Sequence, residues 1–63
     1  MNSLTDNMNN EELSKFVIWL HDQAAYAYEQ ANLCDDMDDT EMYNYWMGQA
    51  YAFELVLGKI ATL

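Results

Sequence analysis

The chain has no proline, no arginine, one cysteine, one histidine, two glycines and only two basic residues. Each shortage excludes something. Without proline, no helix is forced to kink or stop. The lone Cys34 cannot close an internal disulfide, and an unpaired thiol fits a reducing cytoplasm better than secretion. His21 has no second histidine and no serine nucleophile at a telling spacing, so neither a metal centre nor a catalytic triad is expected. Asp22 follows directly, but adjacent helix residues do not face each other. No glycine-rich loop is present to cradle a phosphate. The expectation is a protein that is not an enzyme and uses no cofactor and no metal.

Two lysines stand against eleven carboxylates, a net charge of −9. Phosphates would be repelled, which excludes direct binding of DNA or RNA. Anionic lipid surfaces are disfavoured for the same reason. The N-terminus lacks a basic region followed by an apolar core, so no signal peptide is expected. No apolar run approaches the roughly 20 residues that span a membrane. What the charge favours is a basic protein partner and fast, salt-sensitive association with it. It also serves solubility.

Apolar material is plentiful, with nine aromatics and five methionines in 63 residues. A chain this short is one domain, and it buries only about 60% of its unfolded surface. With no disulfide or metal to staple it, oligomerisation is the remaining way to complete a core.

The apolar residues recur at helical spacing. Leu13, Phe16 or Val17, Leu20, Ala24, Ala27 and Ala31 make a first stripe, predicting helix 1 over about 10–33. Asn9 and Glu12 read as a capping box at its start, with Met8 and Leu13 as the flanking staple. A turn follows at 34–38, then helix 2 over about 39–60. Asp38 is placed to cap it, with Glu41 three residues on and Met37 and Met42 as staple. Gly58 is placed to fray or end it. The expected fold is all-α: an antiparallel two-helix hairpin, pairing into a four-helix bundle.

Helix 2 gives the strongest reason to expect pairing. Tyr43, Trp46, Ala50, Phe53, Leu57 and Ile60 form one stripe, yet Tyr45, Gly48, Ala52, Leu55, Val56 and Leu63 fall on the other side. A helix apolar on two sides is normally buried on two sides. The neighbouring helix covers one, and the second needs another chain. Gly48 and Ala52 are a small pair that admits a close backbone. Trp19, Tyr26, Tyr45, Trp46, Gly48, Ala52, Phe53 and Val56 are the candidate oligomer or partner interface, since aromatics anchor interfaces. Glu54 lies near the main stripe, where it meets a lysine or points out at the rim.

The carboxylates supply the other candidate surface. Glu11, Asp22 and Glu29 fall on one face of helix 1, and Asp35, Asp36, Asp38 and Asp39 crowd the turn. The order in the turn does not match an EF-hand loop, which needs alternate ligands, a central glycine and a glutamate at its twelfth position. A solvated turn or an acidic docking tip is the expectation.

Through Tyr45-Trp46-Met47-Gly48-Gln49-Ala50-Tyr51-Ala52-Phe53-Glu54, then Val56-Leu57 and Ile60, the chain resembles small acidic helical-hairpin accessory proteins encoded by bacteriophages. The resemblance covers the second helix and the general layout, and it carries over no functional residue. It implies an inhibitor working in the host cytoplasm against a basic nucleic-acid-acting protein, with anti-CRISPR and anti-restriction proteins as examples. Several such proteins are acidic enough to imitate nucleic acid. The alternative is a structural or regulatory homo-oligomer whose acidity serves solubility only.

Overall fold

The computed structural model describes residues 10–62, which form two α-helices, α1 (Asn10–Asp36) and α2 (Thr40–Ala61). They pack against each other along their length as an antiparallel hairpin. Asn9 and Met8, read as the cap and staple of the first helix, lie outside the described residues.

The seam between the helices is built from small side chains. Leu20, Ala24, Ala27, Ala31 and Cys34 alternate at spacings of four and three along α1, and all are buried. Ala50 is the buried residue of α2. Ala31 and Ala50 are each 0% exposed, so no atom can be added at either without moving a helix. Cys34 extends the alanine stripe by one step and is a packing residue. No large side chain is fully buried in the hairpin. The fold measures 44 × 20 × 14 Å, so it is one helix thick and both broad faces meet solvent.

The turn differs from its expected form at both ends, α1 running three residues longer and the cap moving by one. α1 continues past Leu33 to Asp36, because its stripe still has Cys34 to bury. Asp38 then takes a left-handed backbone, φ 57°. Its N–H donates to the Asp35 carbonyl at 3.1 Å, and the Asp39 N–H donates to the Cys34 carbonyl at 2.8 Å. This pair of bonds is a Schellman closure of α1, with Asp38 in the position usually given to glycine. Asp38 therefore cannot cap α2. Asp39 does so instead, its Oδ1 accepting the Met42 N–H at 3.2 Å. Asp38 thus ends the first helix and Asp39 starts the second.

The far end also departs from expectation. α2 runs through Gly58 to Ala61, and the Thr62 N–H and hydroxyl close it on the Lys59 carbonyl at 3.2 and 3.0 Å. Lys59 sits in the last turn, where a positive charge suits the helix dipole.

Candidate interaction surfaces

The two broad faces of the hairpin differ in charge. Successive helical residues turn by about 100°, which sorts the side chains around each seam. On one face α1 contributes Phe16, Trp19, Gln23, Tyr26, Gln30 and Leu33, and α2 contributes Met42, Tyr45, Gln49, Phe53 and Val56. None of these is charged, although Glu12 stands on the same row of α1, one step before Phe16. The aromatic rings on it touch in sequence. Phe16 stacks on Trp19 with centroids 6.4 Å apart, and Trp19 meets the edge of Phe53 at 6.0 Å. Tyr26 meets Trp46 at 5.7 Å, and Tyr45 flanks the same indole at 5.1 Å. Edge-to-face pairs of this kind favour a fixed geometry.

These contacts do not bury the rings. Trp19, Tyr26 and Tyr45 remain 51–52% exposed. Trp46 and Phe53 are half-buried because they bridge to α1. Leu33 and Met37 continue the apolar surface toward the turn, both exposed. Leu33 was read as the end of helix 1; its seven-residue spacing from Tyr26 and Trp19 marks it as part of this surface.

The back of α2 is a separate surface. Gly48 and Ala52 are exposed, and a Cβ at Gly48 would meet nothing within 4 Å. Leu55 is 73% exposed beside them, and Val56 lies where this side meets the uncharged face. The hairpin itself makes no use of the small pair.

The opposite broad face carries His21, Tyr28 and Asp35 from α1 with Tyr43 and Glu54 from α2. Here the Tyr28 hydroxyl donates to Glu54 Oε2 at 2.8 Å. Glu54 therefore pairs with a phenol, where a lysine or the open rim was expected. Its carboxylate accepts the phenol proton, and together with desolvation and its negative charge it pushes the Tyr28 phenol above its ordinary value. Tyr28 is a residue that sequence reasoning missed, because a contact across 26 positions leaves no periodic trace.

Three carboxylates of α1 form a ridge outside both faces. Asp22 and Glu29 are exposed along the outer ridge, with no partner in the described residues, and Asp36 continues the row one heptad on. Glu11 pairs with Lys15 at 3.5 Å, both side chains about three-quarters exposed. Such a pair contributes at most about 0.5 kcal/mol. At the turn, Asp35, Asp38 and Asp39 line a shallow depression of about 250 Å³ with Thr40, Tyr43 and Asn44. The Asp39 carboxylate is committed to capping. Among the described residues, no group of three or more His, Cys, Asp or Glu is placed to hold a metal ion. No helix there is long and apolar enough to cross a membrane. Comparison with protein-family models finds no match, and comparisons with curated proteins and with solved structures find none either.

Proposed function

We propose that this protein is a non-enzymatic, protein-binding module that pairs with itself into a four-helix bundle and offers its carboxylates to a basic protein. The observation that carries this reading is the segregation of charge. Between Phe16 and Leu33 the aromatic face has no carboxylate, whereas Asp22, Glu29 and Asp36 form an exposed outer ridge. Neighbouring carboxylates on that ridge are two helical turns apart, about 10.5 Å. A row of fixed negative charge is complementary to a groove that holds a nucleic-acid backbone. The partner class is thus a basic, nucleic-acid-acting protein, and inhibition by occupying its groove is the mode of action. This agrees with the phage-type inhibitor that the resemblance of the second helix implies, acting in a host cytoplasm against a nuclease or restriction enzyme.

The test is a pull-down from bacterial lysate with the tagged protein at low and high salt. A nucleic-acid-acting protein should be captured at low salt and displaced by added DNA. Asp22→Lys with Glu29→Lys should lose it while helicity stays unchanged by circular dichroism. Capture that survives high salt, DNA and both substitutions would refute groove occupation by this ridge.

A further inference from the structure

We infer that the face formed by Trp19, Tyr26, Tyr45 and Val56 docks a second copy of this chain, with the back of α2 left outside the contact. The inference rests on the self-pairing reading above and says which surface performs it. The sequence names Trp19, Tyr26, Tyr45 and Val56 together with Gly48 and Ala52, without dividing them between two surfaces. The structure shows a broader surface that both helices share.

Area is the first argument. The chain exposes 4852 Å². A compact folded monomer of 7.4 kDa exposes about 4200 Å². The excess, about 650 Å², approaches the roughly 800 Å² that each partner gives to a standard interface. The radius of gyration points the same way: it is 14.4 Å, against about 11 Å for a compact chain of this length.

Charge selects the occupant. A basic partner is drawn to the carboxylates, and between Phe16 and Leu33 this face has none to offer, Glu12 standing at its open end. A second copy is repelled almost everywhere, since each chain carries −9. This face is where two copies approach with the fewest opposing carboxylates, and it leaves both outer ridges in water on opposite sides of the bundle.

Register makes the face self-complementary. The ring contacts pair Trp19 with Phe53 and Tyr26 with Trp46. Gln23 and Gln49 each lie between those two ring pairs along their own helix. A two-fold axis near the glutamines lays the Trp19 layer of one copy over the Tyr26 layer of the other. Such an isologous contact closes on itself and stops at two chains. The amides supply donors and acceptors that match their own copies.

Both tryptophans, Trp19 and Trp46, lie on this face, so the unmodified protein reports on it. The experiment is sedimentation equilibrium over a broad concentration range, with tryptophan emission recorded on the same samples. Mass should double as concentration rises, and the emission should shift to the blue in step. A doubled mass with unmoved emission would overturn this face and leave self-pairing standing. A monomer throughout would remove self-pairing itself, and the inference with it. Tyr26→Lys should weaken the dimer by at least about tenfold, and Leu55→Lys should leave it unchanged. The reverse pattern would assign the contact to the back of α2. If Tyr26→Lys loses its helicity as well, the emission of the unmodified protein still decides.

Discussion

Two single residues hold conformations or contacts that their neighbours do not. Tyr28 donates to Glu54, and its pKa is raised from 10.0. A raised folded-state value means the folded form holds the proton more tightly than the unfolded form. The contribution is whole below the unfolded value of about 10 and is lost as pH rises through the folded value. Glu54→Gln should return the Tyr28 titration toward 10.0, followed by NMR of the labelled ring. An unmoved titration would show that the carboxylate is not the cause. Asp38 sits at φ 57°, a left-handed conformation that costs a side chain with a Cβ about 1 kcal/mol. Asp38→Gly should therefore stabilise the hairpin, raising the thermal midpoint by several degrees. A lowered midpoint would mean that the Asp38 side chain itself supports the turn.

At the scale of the helices, the alanine seam decides how closely α1 and α2 approach. Ala31→Leu adds bulk where exposure is 0%, and should cost about 1–3 kcal/mol in urea unfolding. Val substituted at the exposed Ala52 should cost far less. Equal costs at both positions would deny the seam. The periodic part of this arrangement was open to reading: Leu20, Ala24, Ala27 and Ala31 were named from spacing alone, because helical geometry repeats whatever the partner. The end of α1 was not. Asp35, Asp36, Asp38 and Asp39 are chemically alike, so composition cannot say which one turns left-handed and which one caps. That choice follows from burying Cys34, which carries the helix one turn further than expected.

The whole hairpin has too little interior to be comfortable alone. Among the described residues, the buried ones are one leucine, one cysteine and four alanines. Burial against a second copy would supply the missing apolar contact, and mass action then links stability to concentration. The thermal midpoint should rise with protein concentration. It should also rise with added salt, since screening relieves the repulsion between two chains of −9 each. A midpoint independent of concentration would place the folded state in the lone hairpin. The candidate interface residues were legible as excess apolar side chains, but their grouping was not. Trp19 and Tyr26 join Tyr45 and Trp46 on one face, while Gly48 and Ala52 fall on another.

The sequence by itself determined the helical class, the two-stripe pattern, the acidity and the capping chemistry at the turn. These depend on local periodicity and composition, which need no knowledge of what packs where. Only the tertiary structure decided which aspartate caps, that Glu54 takes a phenol as its partner, and that the uncharged surface spans both helices. Each of those is set by the rotation of one helix about the other. Packing of the alanine seam determines that rotation, and no segment of the chain encodes it alone.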